Sequence, residues 1–267
     1  MSSSPSLSFT LYRTYLQFYF QTKRFYAMLV LYLLMVLLVP MLTLAGVIPK
    51  APSVSDFLGT PFGFFAELAT LGSALLAGDA ISQDFSRQGL FTLSQPFGRG
   101  RVMVMRYLSA LSVSAGLSLL YFVIAAITGY AYFGALTPNY AEMVGLSLLY
   151  VAGLVAFVML CSSVFKSSSI SIVVSVLLVI LAMPFATGIL DLTSIEPWFF
   201  ITYAGGAISD LAAQPYPPHL QTIPAGSITV SIYTPTPTEA ALIMVGYLLV
   251  SLGISYLIYS RRELREI

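Results

Sequence analysis

Six long apolar runs divide this sequence, and they constrain its fold more than any other feature. A helix needs roughly 20 apolar residues to cross the hydrocarbon core of a membrane. Only 9% of the 267 residues are charged, whereas an ordinary soluble domain has roughly 25%. The sequence therefore predicts an all-α polytopic membrane protein, with one transmembrane domain over residues 1–267. The predicted spans are 25–48, 57–78, 103–128, 143–164, 170–190 and 240–259.

The basic residues predict the orientation of these spans. Eleven of the 12 Lys and Arg residues lie before span one, between spans two and three or four and five, at the start of span three (Arg106), or after span six, and Lys50 is the exception. Because cytoplasmic loops are enriched in Lys and Arg, both termini are expected in the cytoplasm of a multi-pass cell-membrane protein. The outer side then has a long extracellular segment, 191–238. Within it, residues 227–233 alternate between apolar and polar as a strand does.

A polar stripe precedes span one. Thr10, Arg13, Thr14, Gln17, Gln21 and Arg24 recur at three- and four-residue steps, with Phe, Tyr and Leu between them. This pattern predicts an interfacial amphipathic helix over residues 8–24, lying in the membrane plane with its rings against lipid. The alternative is that these residues form the first turns of a long, tilted span one.

The most polar long stretch, residues 78–101, lies between spans two and three on the predicted cytoplasmic side. From its start into span three the chain has, in order, Asp79, Ile81-Ser82, Asp84, Gly89, Leu90, Leu93, Pro96, Arg99 and Arg106. This order resembles the ABC transporter type-2 permease family. The chain departs from the family in having Gln83 and Phe85 beside Asp84 where glutamates are usual, and Gly98 where a small polar residue is expected.

The resemblance implies a permease subunit, mostly found in exporters. Such a subunit forms the translocation path with a second permease copy or paralogue, and cytoplasmic ABC ATPase subunits drive it. In the family the loop, here 80–101, forms a coupling helix in a groove of the ATPase. The expected coupling residues are Asp84, Phe85, Arg87, Gly89, Leu90, Phe91, Leu93, Pro96, Arg99 and Arg101. A solvated loop would account for the arginines but not for the large apolar residues, which suit a buried interface.

Other features limit the chemistry that the chain itself can perform. None of its three lysines follows a glycine, as the lysine of a phosphate-binding loop must, so ATP and Mg²⁺ are expected on the partner ATPase and no enzyme activity on this chain. One His and one Cys give no usual metal signature, so no metal site is predicted. A net charge of +1 argues against nucleic acid as a partner.

Two acidic residues in and beside span two need partners. Glu67 lies near its middle, where an ionised carboxylate costs roughly 2.5–3.5 kcal/mol. It is a candidate for the substrate path, attracting a cationic or amphiphilic cargo. Alternatively, it bonds to a span-three serine (Ser109, Ser112 or Ser114). Asp79 lies at the span's end, where it opposes the helix dipole, so we expect a basic partner, with Arg106 as the first candidate.

The main alternative function is a stand-alone ion-coupled carrier or channel. Against it, Glu67 is the one ionisable residue found at depth, and no internal inverted repeat is apparent. An intramembrane enzyme is disfavoured because no span contains a His that could act as a base. A plain membrane anchor is disfavoured because no soluble domain accompanies the spans.

Overall fold

The chain folds into a helical membrane bundle. The computed structural model describes residues 5–85, 98–225 and 228–261. Within these ranges, six helical stretches are long and apolar enough to cross a membrane, as predicted. The helices are α1 (Pro5–Gln21), α2 (Lys23–Leu44), α3 (Val54–Gly63), α4 (Phe65–Ala77), α5 (Arg99–Phe133), α6 (Tyr140–Val164), α7 (Ser168–Val176), α8 (Met183–Leu192), α9 (Ile201–Asp210) and α10 (Pro237–Arg261).

Helix α6 forms the centre of the bundle. Its middle turns are buried on every side, and it contacts α4, α5, α7, α9 and α10. A helix that is apolar all round is stable only where other helices or lipid surround it. In contrast, few residues of α2, the α7–α8 span and α10 are buried, and many of their apolar side chains are exposed or only partly buried. These helices form the outside of the bundle.

Helix α1 is separate from span one. It ends at Gln21, and Thr22 has an extended backbone with φ −82° and ψ 139° before α2 begins. The helix packs along α5, where the hydroxyl groups of Tyr12 and Ser112 are 2.8 Å apart. Ser109 also donates to the Tyr12 carbonyl at 3.3 Å. The break at Thr22 contradicts a continuous tilted span one, whereas an in-plane position of α1 stays a prediction.

Span two is broken near its middle. Pro61 lies in the last turn of α3 and has no N–H for the helical ladder, and α4 begins after Phe64. Tyr121 of α5 donates to the Pro61 carbonyl at 2.6 Å. The broken backbone is thus bonded by a neighbouring span, as backbone groups in a membrane require.

Span five contains a π-helical segment, Leu177–Ala182, directly before Pro184. A proline cannot donate the bond to the carbonyl four residues earlier, so the ladder must adjust locally. Here Met183 donates to the Leu178 carbonyl, five residues earlier. Segments of this kind often occur at functional sites in helices.

The segment between spans five and six contains a helix and a hairpin. Strand β2 (Ile228–Tyr233) confirms the strand predicted at 227–233, and it pairs antiparallel with β1 (Leu220–Ala225). Tyr247 donates to the Phe199 carbonyl at 3.0 Å. Because Tyr247 is ten residues after the start of α10, this contact lies about 15 Å along the helix from its N-terminal end. Helix α9 therefore begins at mid-depth in the bundle, beside the exposed Trp198.

Helix α9 packs on α6 through a glycine, which gives a stability prediction. A Cβ at Gly205 would be 2.9 Å from the Tyr150 ring, whereas one at Gly206 would be 3.8 Å from Asp210. Both changes to Ala give the same gain in helix propensity. Gly205→Ala should therefore be about 1–3 kcal/mol less stable than Gly206→Ala, because the core is overfilled. Thermal unfolding in detergent measures the difference, and equal midpoints would contradict this packing.

Candidate functional site

The chain leaves span two through a buried polar segment, residues 79–83, which we call the loop anchor. At its start, Asp79 accepts hydrogen bonds on Oδ2 from Arg24 Nη1 and Gln83 Nε2, each at 2.7 Å. Burial raises the pKa of the Asp79 carboxyl, and the neighbouring Arg24 charge acts in the opposite direction. A buried carboxylate is tolerable only with such partners.

The ion pair with Arg24 corrects the expected pairing with Arg106. Arg24 lies in the first turn of α2, and the break at Thr22 positions it beside the end of α4. Arg106 lies nearby on α5, and its charge, like that of Arg24, partly offsets the rise in the pKa of Asp79 that burial causes. Its Nη1 donates to the Ala80 carbonyl, and its guanidinium lies 4.9 Å from the centre of the Tyr15 ring. Helices α2 and α5 therefore bond to the loop anchor directly, and α1 packs on Arg106 beside it.

The Ile81-Ser82 pair attaches the loop anchor to two further helices. Both backbone N–H groups donate to Ser162 Oγ of α6, at 3.1 and 3.0 Å. The Ser82 hydroxyl is 3.0 Å from that of Ser168 at the start of α7. Both residues of the pair are buried. Two residues of the motif that carries the family resemblance are thus buried in the protein, where they attach the loop to α6 and α7.

The far end of the loop is attached to span six. Arg99, the first residue of α5, donates to the carbonyls of Ser260 and Tyr259 at 3.0 and 3.4 Å. These carbonyls lie at the C-terminal end of α10, where a cation is favourable. Arg101 is half-buried in the same turn of α5. Both ends of the predicted coupling loop are therefore held by the bundle.

Most of the predicted coupling residues lie outside the described ranges. Asp84 and Phe85 belong to a short 3₁₀ turn, Ser82–Phe85, that directly follows the loop anchor. The residues outside the described ranges are Arg87, Gly89, Leu90, Phe91, Leu93 and Pro96. Their role on the ATPase stays a prediction.

A cavity of about 290 Å³ lies between span two and the α7–α8 span. Glu67 is exposed to it, in the first turn of α4 just after the break at Phe64, where the helix dipole favours a negative charge. Residues from α4, α6, the π-helical segment, α8 and α9 line the cavity: Ala66, Glu67, Thr70, Tyr150, Val179, Ile180, Pro184, Thr187, Gly188, Asp191, Thr202 and Tyr203.

The serine alternative for Glu67 finds no support among the described residues. Ser109 and Ser112 bond to α1 and to carbonyls of their own helix. The hydroxyl of Ser114 is buried with no hydrogen-bond partner in the described part of the chain. Glu67 instead faces the cavity. Facing a cavity is one of the few arrangements in which an acidic residue is tolerated at this depth in a membrane protein.

Asp191 is a second acidic residue on the cavity wall, and sequence reasoning missed it. The sequence prediction ended span five at residue 190, so it assigned Asp191 to the extracellular segment. In the structure Asp191 still belongs to α8. Among the cavity-lining residues there is no Lys, Arg or His. The side-chain hydroxyl of Thr202 is buried beside the cavity with no partner among the described residues. Two carboxylates and several hydroxyl groups without a basic residue make a site that suits a cationic group.

Comparisons with known proteins agree with a membrane location. No protein-family model matches the chain. A similar curated protein is the "Uncharacterized membrane protein YdbK" of Bacillus subtilis (strain 168). The two are 28% identical over 110 residues, which are 38% of this chain and 45% of that protein. The matched part spans less than half the length of that relative.

The contacts of Asp79 predict an unequal effect of two neighbouring basic residues. Arg24→Gln removes the charged partner of a buried carboxylate, whereas Lys23→Gln removes the same charge from an exposed side chain. Because the Arg24 side chain is 45% exposed, the expected loss is about 1 kcal/mol. Thermal midpoints in detergent measure both variants.

A double-mutant cycle isolates the pair itself. Combining Arg24→Gln with Asp79→Asn should cost less than the sum of the single changes, with a coupling of about 0.5–3 kcal/mol. Additive losses, or an Arg24→Gln midpoint equal to that of Lys23→Gln, would show that the ion pair does not stabilise this junction.

Proposed function

We propose that this chain is the membrane-spanning permease subunit of an ATP-driven ABC transporter and that it works as an exporter. The observation that carries the proposal is the loop anchor. Residues 79–83 bond to α2, α5, α6 and the start of α7, and Arg99 bonds to the end of α10. A movement of the loop would therefore be transmitted to span two, which directly precedes the loop anchor, and to the other five spans. A coupling element needs such an attachment, and a solvated connection does not.

ATP hydrolysis belongs to a separate subunit in this proposal. The chain has no phosphate-binding loop, so the ATP and Mg²⁺ sites lie on cytoplasmic ATPase chains. The large apolar residues of the loop, Phe85, Leu90, Phe91 and Leu93, supply the contacts with those chains. Cytoplasmic termini follow from the distribution of Lys and Arg.

A second permease copy or paralogue completes the translocation path. Helices α2 and α10 and the α7–α8 span are the least buried spans, so they are available to lipid or to another permease. The acidic cavity forms the part of the path that this chain contributes. Glu67 and Asp191 give it a negative charge, which favours cationic or amphiphilic cargo.

An ion-coupled carrier remains the second candidate, because of Asp191. The cavity holds two carboxylates from different spans, whereas the sequence indicated one acidic residue at depth. Broken helices at such a site are typical of secondary transporters, and α3–α4 is broken beside Glu67. Proton flux into liposomes that contain the purified chain alone, abolished by Glu67→Gln with Asp191→Asn, would favour this carrier over the ABC permease.

The permease proposal predicts that apolar residues of the loop matter more than its charges. Buried aromatic contacts often carry 2 kcal/mol or more of an interface, whereas exposed ion pairs carry less than about 1 kcal/mol. Phe91→Ala or Leu90→Ala should therefore release the ATPase or uncouple its hydrolysis. Arg87→Ala should be milder and more sensitive to salt. The measurements are recovery of the ATPase with the tagged chain and the rate of transport for each variant.

Membrane insertion serves as the control in all three variants, since the remaining arginines still set the orientation. Full ATPase recovery and full transport with both Phe91 and Leu90 truncated would contradict a coupling role for the loop. Absence of any P-loop ATPase from the wild-type preparation would contradict the ABC assignment itself.

A further inference from the structure

Three potential metal ligands meet at the end of α10 opposite to the loop. They are Glu196 from the link between α8 and α9, His219 just before β1, and Glu239 in the first turn of α10. One ligand atom from each lies within 4.8 Å of the other two. No sequence motif indicates this site, because its three residues are 20 or more positions apart and the chain has a single histidine.

The hydrogen bonds of His219 determine which ring nitrogen is available. Nδ1 lies 2.9 Å from the Thr234 carbonyl, which can only accept, so Nδ1 carries the proton. Nε2 then faces Glu196 Oε2 at 3.7 Å. With a neutral ring, two lone pairs face each other across this gap, and a cation between them would remove the repulsion. The side chains of His219 and Glu196 are 44% and 29% exposed, so an ion can reach them.

The distance fits a bridging metal better than a hydrogen bond. An N–H···O bond brings the two heavy atoms to about 2.7–3.2 Å, which is well short of the observed separation. Two ligands on one tetrahedral Zn²⁺, with bonds of about 2.0–2.1 Å, lie about 3.3 Å apart. A shift of a few tenths of an ångström therefore brings His219 and Glu196 to the distance of two ligands on one ion, and the ligand oxygen of Glu239 lies within 4.8 Å of both.

Each ligand is also oriented by a second residue. Tyr203 donates to Glu196 Oε1 at 2.9 Å, which leaves Oε2 toward His219. Glu239 Oε2 accepts from the backbone N–H and the hydroxyl of Thr236, both at 2.9 Å. These last bonds form a helix capping box, which alone explains the position of Glu239. A capping box explains neither Glu196 nor the ring orientation of His219. Metal ligands in proteins are typically oriented in this way by hydrogen bonds from residues that do not themselves bind the metal.

We propose that Glu196, His219 and Glu239 bind one divalent transition-metal ion, with Zn²⁺ as the best match to one imidazole and two carboxylates. Water completes the coordination, because the site is partly exposed. The ion joins the end of span five, the base of the hairpin and the start of span six. Binding therefore stabilises the outer segment against these spans. This site is independent of the proposed transport function.

Isothermal titration of the detergent-purified chain with Zn²⁺ tests the proposal, using a chain without a polyhistidine tag. The expected result is one ion bound per chain and a higher thermal midpoint. Co²⁺ should give a visible absorption band that His219→Ala abolishes, because this is the one histidine in the sequence. Glu196→Gln and Glu239→Gln should each weaken binding about 10- to 100-fold. Gln at position 239 can still form the capping box, so the helix start is preserved.

Two further variants distinguish specific metal binding at these three residues from non-specific binding of Zn²⁺ to acidic residues on the surface. Glu142→Gln removes an exposed carboxylate outside the cluster and should leave the affinity unchanged. Tyr203→Phe removes the bond that orients Glu196 and should weaken Zn²⁺ binding while the chain remains folded. Absence of Zn²⁺ binding, or equal binding by the wild type and the His219→Ala variant, would overturn the proposal.

Discussion

A buried carboxylate at the end of α4 is the constraint on which this arrangement of helices depends. Asp79 could not remain charged in that position alone, so a cation must reach it from another part of the bundle. Arg24 does so because the chain is extended at Thr22, which ends α1 and starts α2 beside α4. The same junction brings Arg106 of α5 over Tyr15 of α1. The surroundings of one charge therefore link the N-terminal helix and three of the spans.

The neighbouring backbone extends this constraint to the centre of the protein. Ser162 of α6 accepts two backbone N–H groups from the loop anchor, and α6 contacts nearly every other span. Its Tyr150 also lines the acidic cavity on the way to α9. The loop and the cavity are thus connected through one central, closely packed helix. In the proposed permease, this connection relays the state of the ATPase to the cargo site.

The sequence predicted those features that depend on local pattern. Apolar run length identified the six spans, and alternation identified β2. Features that depend on distant residues could not be predicted in this way. Arg24 and Asp79 are 55 positions apart, and their pairing depends on the break at Thr22. Asp191 lines the same cavity as Glu67 because α7 and the π-helical segment pack on α4, and the π-helical segment changes the helical register of the residues that follow it. In the same way, a polar stripe indicated α1 but not which face of α5 it covers.

The most direct test of the account is whether ATP changes the cavity through the loop anchor. A cysteine at Thr187 in a Cys161→Ser background would report cavity access by its rate of labelling with a thiol reagent, with and without ATP, in the complex with its ATPase. Ser162→Ala removes the acceptor for the loop anchor, whereas Ser147→Ala removes a buried hydroxyl that bonds within α6. The account predicts that ATP-dependent labelling is lost with Ser162→Ala and retained with Ser147→Ala, while the ATPase stays bound in both. Unchanged ATP dependence in the Ser162→Ala complex would contradict it.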